Sequence, residues 1–169
     1  MTLVAGLLSP FFFVVQLSGT PSAADSARAA AEERGLRDRA TFVLGDASQA
    51  LPFPSASFDA LLCVDAINHL RDRPRVLREW ARVLKPGARL AYTDPIVLTG
   101  WLSDEEMRIR SSIGSFLFFA PLVNERMLDE AGFELATVED WTGNMAAMAG
   151  RWRASRERHS AELRRLEGE

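Results

Sequence analysis

The sequence holds one cysteine in 169 residues, Cys63, and that residue lies inside an apolar run. A disulfide framework is excluded, and a reducing, cytoplasmic compartment fits. An excess of charge of one sign is also lacking. The formal net charge is -3, with no basic patch for nucleic acid and no acidic tail. Long hydrophobic runs are missing as well. The most apolar stretch, Leu3 to Leu17, is interrupted by Gly6, Ser9, Pro10 and Gln16 and is too short for a membrane span. It resembles the apolar core of a signal peptide, with Ser22-Ala23-Ala24 as a cleavage site, but no Lys or Arg precedes it. Two short buried strands, Leu3–Leu8 and Phe11–Leu17, split by Ser9-Pro10, explain the pattern as well and are the preferred reading. Tyrosine occurs once, at Tyr92, without a lysine one turn later, and no Gly-x-Gly-x-x-Gly is present. A nicotinamide-dependent oxidoreductase therefore has little support.

What is present is a run from Thr41 to Asp94 that reads strand, acidic turn, strand, amphipathic helix, Lys-Pro-Gly turn, strand. Alternating β and α with apolar strands implies an α/β fold, a parallel sheet covered by helices. Ligands of such sheets sit beyond the strands' carboxyl ends, and each strand here ends at or near an Asp. Ahead of this run, alanine-rich Ala23 to Gly35 predicts a helix ended by Gly35. Within it, Thr41–Gly45 is a short strand and Leu51-Pro52-Phe53-Pro54 a loop, since prolines at that spacing stop helix and ladder alike. Phe58 to Asp65 is unbroken and apolar, the pattern of a strand buried on both faces. Leu70, Val76, Leu77, Trp80, Val83 and Leu84 recur at helical spacing, while Arg71, Arg73, Arg75, Arg78, Glu79 and Arg82 fall largely on other faces. Lys85-Pro86-Gly87 then stops the helix and leads into the strand Arg89–Thr93.

Farther on, Ser103 to Glu106 is a capping box that opens a helix through about Phe118. Asn124 caps a second helix ending at Ala131-Gly132, and Phe133 to Asp140 alternates as another strand. From Asn144 the chain is helical, with Trp152, His159, Leu163 and Leu166 on one stripe. No repeat or linker appears, so residues 1–169 read as one domain: an apolar N-terminus (1–22), a helical, aromatic-rich segment (96–131) and a C-terminal helix (144–169).

Strand–Gly45-Asp46-Ala47, then Leu51-Pro52-Phe53, then Ser57-Phe58-Asp59-Ala60, then a helix closed by Arg82-Val83-Leu84-Lys85-Pro86-Gly87, resembles a class I S-adenosylmethionine-dependent methyltransferase. The small-molecule, methyltransferase type 11 or UbiE-like branch fits best, over roughly Ala23 to Asp140. The resemblance implies a Rossmann-like, doubly wound sheet in the order 3-2-1-4-5-7-6 with only the last strand antiparallel. Thr41–Gly45, Phe58–Val64, Arg89–Thr93 and Phe133–Asp140 would be its third to sixth strands. It further implies S-adenosylmethionine as cofactor, Asp46 and Ala47 at its adenine, and Asp65 and Ala66 at its methionine part and the transfer centre. By the residues alone, Asp46 could also be a turn-capping Asp. The segment 96–131 would be the family's substrate lid, with a helix packed on the sheet as its alternative.

His69, at an exposed turn, is the candidate general base, its unperturbed pKa lying near neutrality; its alternative is a helix-entry residue packed under the next helix. Asn68, Asp94, Trp101 and Arg110, with Thr99 and Asn124, are candidates for the pocket of a small-molecule acceptor, and no metal ligands are assigned. Asp59, at the far end of its strand, reads as structural.

Two parts of the family pattern are absent. No Gly-x-Gly loop precedes the first helix, only isolated Gly6 and Gly19. No acid ends the second strand to bind the ribose: Ser18, Gly19 and Thr20 stand there, and the first Asp is Asp25. Losing a bidentate carboxylate costs about 2–3 kcal/mol as charged hydrogen bonds. The expected sheet is thus incomplete at both ends. The alternative reading is a catalytically inactive or truncated remnant acting through a protein partner, with an exposed strand edge that leaves homo-oligomerisation open.

Overall fold

The computed structural model describes residues 2–7, 13–94, 100–111 and 117–167. Strands β1 (Thr2–Leu7), β2 (Phe13–Ser18), β3 (Ala40–Leu44), β4 (Phe58–Cys63) and β5 (Leu84–Tyr92) form one sheet in the order β3-β2-β1-β4-β5. β2 with β3, and β4 with β5, are parallel, whereas β1 is antiparallel to both of its neighbours, β2 and β4. The strand order is the expected one; the direction of β1 is not. Only residues 8–12 separate β1 from β2, and parallel neighbours need a crossover of a dozen or more residues. A connection that short permits only an antiparallel pair.

Helix α1 (Pro21–Glu33) packs on β2 and β3 through buried Ala24 and Ala31. Thr20 Oγ1 accepts the Ala23 N–H at 3.3 Å as its N-cap, and Gly35, at φ 66, lets the chain turn after it. Helix α2 (Arg73–Val83) starts at Asp72, whose carboxylate accepts the Arg75 N–H at 3.3 Å, with a proline in its first turn. Its buried stripe is Val76, Leu77, Trp80 and Val83, and burying each such side chain fully is worth about 1.5–3 kcal/mol. Against that stripe lie Leu61, Cys63 and Tyr92, the Trp80 and Tyr92 rings meeting edge-on at 6.2 Å.

The opposite polar edge of α2 straps the proline loop. Arg82 Nη1 donates to Phe53 O at 2.9 Å, its Nη2 to Leu51 O at 3.2 Å, and Glu79 Oε1 accepts the Leu51 N–H at 2.7 Å. The hydrogen bond from Arg82 holds the Glu79 carboxyl below its ordinary range. Lys85 pairs with Asp59 at 2.9 Å, tying the starts of β4 and β5 together.

Several expectations are corrected. β4 is not buried on both faces along its whole length: Leu62 within it is 44% exposed, and Val64 just beyond it is 50% exposed. β5 starts at Leu84, and Lys85-Pro86-Gly87 lies within it as an irregularity, since Phe58 pairs with Leu84 but Ala60 already pairs with Arg89. Gly87, at φ 77, permits that excursion. Helix α3 (Asp104–Ser111) has the Ser103–Glu106 capping box, with Ser103 N–H donating to Glu106 Oε2 at 2.9 Å and Glu106 N–H to Ser103 Oγ at 3.2 Å. It does not reach Phe118, which is non-helical. Helix α4 (Val123–Glu130) is preceded by Leu122, not Asn124, as its N-cap.

Phe133–Asp140 joins no ladder among the described residues, and Val138 is 65% exposed. Alternation alone makes no strand; an unpaired sheet edge must lie alongside. By compactness the chain divides into units 1–134 and 135–169. The second unit contains α5 (Thr142–Arg158) and α6 (Ser160–Glu167), so the expected C-terminal helix is interrupted at His159. No helix among the described residues is long and apolar enough to cross a membrane.

Candidate functional site

The register fixes which residues share an edge. Ser18 pairs with Leu44 and with Thr2, Leu3 with Cys63, and Cys63 with Tyr92. The carboxyl ends of β2, β3, β4 and β5 therefore lie together, with the amino end of β1 between them. Gly45-Asp46-Ala47, Ser18-Gly19-Thr20, Val64-Asp65-Ala66 and Thr93-Asp94 all leave from this edge. At about 4.8 Å per strand, the ends of β3 and β4 stand roughly 14 Å apart.

Asp46 is exposed above buried Ala47. Its Oδ1 accepts the Ser48 N–H at 2.8 Å, a turn-forming bond that leaves Oδ2 for another donor. Gly45 packs closely beside it: a Cβ there would stand 2.9 Å from Leu17 Cδ1, so that side chain would have to shift. At the end of β2, Ser18 is wholly buried and its carbonyl accepts the Gly45 N–H at 3.0 Å. Thr20 is committed to capping α1.

At the end of β4, Asp65 adopts a left-handed conformation, φ 49, which Asp tolerates better than most residues. Its N–H donates to Thr93 Oγ1 at 2.9 Å, and the Thr93 hydroxyl donates to Asp65 Oδ1 at 3.1 Å. Ala66 is buried, and so is Asn68, whose Oδ1 has no hydrogen-bond partner. His69 is exposed on the same 3-10 turn, Ile67–His69. Cys63, just beneath, is pushed up to about 11 by burial, so its thiol stays protonated at neutral pH.

Asp94 is engaged at once by two residues. Arg73 Nη1 donates to Asp94 Oδ2 at 2.5 Å and to Asn124 Oδ1 at 2.6 Å, and Asn124 Nδ2 donates to the same Asp94 oxygen at 3.0 Å. The Arg73 and Asp94 side chains are 0% and 5% exposed. Arg73 Nη2 also donates to Ile67 O at 3.3 Å, and its guanidinium lies 4.2 Å from the Phe119 ring centre.

The fold thus brings Asp46, Ala47, Asp65, Ala66, Asn68, His69 and Asp94 to one edge. Trp101 is fully exposed and contributes no buried contact to this edge. The side chain of Arg110 and all of Thr99 lie outside the described residues. Sequence reasoning missed Arg73 and Thr93. Arg73 was assigned to a polar face, yet it precedes Val76, Leu77 and Trp80 by three, four and seven residues, on the buried stripe. That spacing was the available signal. For Thr93 no signal separated it from any other strand-end hydroxyl.

This is an α/β sheet with its ligand-competent edge formed by strand carboxyl ends, and comparison with known proteins identifies the class. The family model described as "Methyltransferase domain" matches residues 3–92. The 27-O-demethylrifamycin SV methyltransferase of Amycolatopsis mediterranei is 38% identical over 108 residues, 61% of this chain and 39% of that protein. Methyltransferase GfsG of Streptomyces halstedii is 46% identical over 78 residues, 46% of this chain and 27% of that protein. Among solved structures, phosphoethanolamine N-methyltransferase 2 of Haemonchus contortus, in complex with S-adenosyl-L-methionine, superposes with a TM-score of 0.75 at 22% identity, over 84% of this chain and 32% of that chain, a likeness of fold alone. The chain belongs to the methyltransferase-domain family, of class I S-adenosylmethionine-dependent, Rossmann-like methyltransferases. It spans between about a quarter and a half of the length of the curated relatives it matches.

The family's cofactor, S-adenosylmethionine, meets this edge with a one-sided fit. Over β3 and β4 the donor set suits it: a carboxylate oxygen left open on Asp46, small buried Ala47 and Ala66, and an orphaned amide oxygen on Asn68. At β1 it does not fit. A glycine loop following the first strand would have to leave from this edge, but β1 brings its amino end here and its carboxyl end to the opposite side.

Proposed function

We propose that this chain belongs to a methyltransferase that transfers a methyl group to a small organic acceptor by direct displacement. The reading rests above all on one observation: residues from three separate strands, Asp46, Asp65 and Asp94, meet on one sheet edge with His69 exposed beside them. The rifamycin relative, named for a small-molecule substrate, supports the acceptor class. S-adenosylmethionine, when bound, supplies a methyl group on an electrophilic sulfonium.

The chain's own residues take the following parts. Asp46 and the Ala47 backbone hold adenine; Asp65 and Ala66 line the methionine side and the transfer centre. Asn68 and Asp94 shape the acceptor pocket. His69 accepts the proton of the acceptor's hydroxyl or amine as the nucleophile attacks. The rest of the rate comes from holding nucleophile and methyl carbon in line. A cytoplasmic location accompanies this reading.

The direct test is transfer of labelled methyl from S-adenosylmethionine to a panel of small acceptors. His69→Ala should then lower kcat roughly 100-fold or more, and a wild-type rate in that variant removes the base assignment. A second reading, a non-catalytic remnant working through a protein partner, is favoured by the reversed β1. Calorimetric titration separates the two: micromolar binding of S-adenosylmethionine supports the enzyme, and no heat together with an unchanged melting temperature supports the remnant.

A further inference from the structure

We propose that Arg73 is a positioning residue, one guanidinium that fastens the segment Leu117 to Glu130 onto the carboxyl ends of β4 and β5. Its location on the apolar stripe of α2 is the first argument. A guanidinium there is desolvated, and a Leu or Met at the same helical position would bury at less cost. The charge is explained by what it holds. Its partners come from three separate segments: Ile67 O on the 3-10 turn, Asp94 beyond β5, and, in the segment itself, Asn124 in the first turn of α4 with the Phe119 ring.

The start of α4 supplies an independent argument. Asn124 turns into the cluster and gives no cap; Leu122 takes the N-cap position at φ 69 with no side-chain hydrogen bond. Local sequence preference therefore does not set where α4 begins. A bulky residue held in the left-handed region persists only where surrounding contacts demand it. The same segment is tied a second time, by the Leu117 N–H donating to Asn68 O at 3.0 Å, next to the exposed His69. Arg73 thus couples the segment that follows α3 to the turn carrying Asn68 and His69. The competing account is that apolar packing of Met127 and Leu128 on α2 places α4 without help.

Amide hydrogen exchange on the full chain separates them, read at Leu117 and through the first two turns of α4, with β4 and α2 amides as internal controls. In Asn124→Ala the segment should exchange at least tenfold faster while the controls stay unchanged. Arg73→Lys keeps the charge on Asp94 but cannot bridge Asn124 and Ile67 together, so it should show a smaller acceleration. The double variant Arg73→Met with Asp94→Leu removes both charges; it should melt cooperatively near the wild type and still exchange tenfold faster over 117–130. Wild-type exchange of that segment in Asn124→Ala, or in the folded double variant, overturns the proposal in favour of packing alone. The catalytic consequence rests on the acceptor reading above: Asn124→Ala should raise the acceptor KM by more than it lowers kcat. A wild-type KM beside faster exchange would refute that consequence. If the wild type turns over no acceptor at all, the functional reading fails while the exchange measurement still decides this one.

Discussion

The two sides of the carboxyl edge are built on different principles. Over β4 and β5 the strand ends are closed by charge and hydrogen bonds drawn from distant parts of the chain: Asp94 with Arg73 and Asn124, Asp65 with Thr93. Over β1 and β2 nothing comparable is present among the described residues. Ser18 is buried where an acid would be needed, Thr20 caps a helix, and β1 arrives by its amino end. The contrast teaches that strand order does not determine which loops reach a site. Direction does, because a reversed strand delivers its following loop to the other edge.

Four measurements would break or sharpen the contrast. The largest effect belongs to Arg73→Met, which removes the guanidinium from the buried Asp94 carboxylate and should cost about 3–5 kcal/mol in urea unfolding. A loss below about 1 kcal/mol would show that the β5 side is no better anchored than the β2 side. Ser18→Asp comes next, placing at a wholly buried position a carboxyl group that takes up a proton there and costs about 1–3 kcal/mol as an unsatisfied polar group. Its affinity for S-adenosylmethionine should stay within about threefold of the wild type. A gain of tenfold or more would mean that the missing acid, not the reversed strand, limits this side.

The third measurement is stability against alkaline pH. Burial raises Cys63 from 9.0 to about 11 and Tyr92 from 10.0 to about 12. Each contributes stability that is complete below its unfolded value and is lost as pH rises through its folded value, because the unfolded chain ionises first. Denaturant midpoints should therefore fall from pH 9 upward, and Cys63→Ala should flatten the part between 9 and 11. A midpoint constant to pH 11 would place solvent within the β4–β5 packing. The smallest effect is Glu79→Gln, roughly 1 kcal/mol from the strap over the proline loop. Glu79 is held below 4.5, so its contribution is present above that value and lost as pH falls through the lowered one. The variant should be less sensitive to acid than the wild type, and equal sensitivity would assign the acid transition elsewhere.

How much was legible in the sequence follows the range of the interactions. α2 could be read from Val76, Leu77, Trp80 and Val83, and α1 from its alanines and Gly35, because helical periodicity and caps are local. β3, β4 and β5 were found within a residue or two at one end, apart from the early start of β5 at Leu84. Asp46, Asp65 and Asp94 were marked as edge residues by standing at strand ends. The failures have another origin. Phe133–Asp140 alternates like a strand and pairs with none among the described residues. Asn124 has the chemistry of a cap, but a buried guanidinium outbids the helix end for its side chain.

By itself the sequence determined the α/β alternation and the acids at the strand ends, and its motifs pointed to the family, whose resemblance in turn implied the strand order. Alternation, acids and motifs are recorded in short-range pattern: apolar period, turn residues and motif spacing. Only the tertiary structure decided that β1 runs backwards, that Arg73 is buried, and that Asp94 and Asn124 share its guanidinium. Those outcomes turn on which segments lie side by side in space, and on the cost of leaving a buried charge without a partner. A pattern of neighbouring residues along the chain carries no record of either.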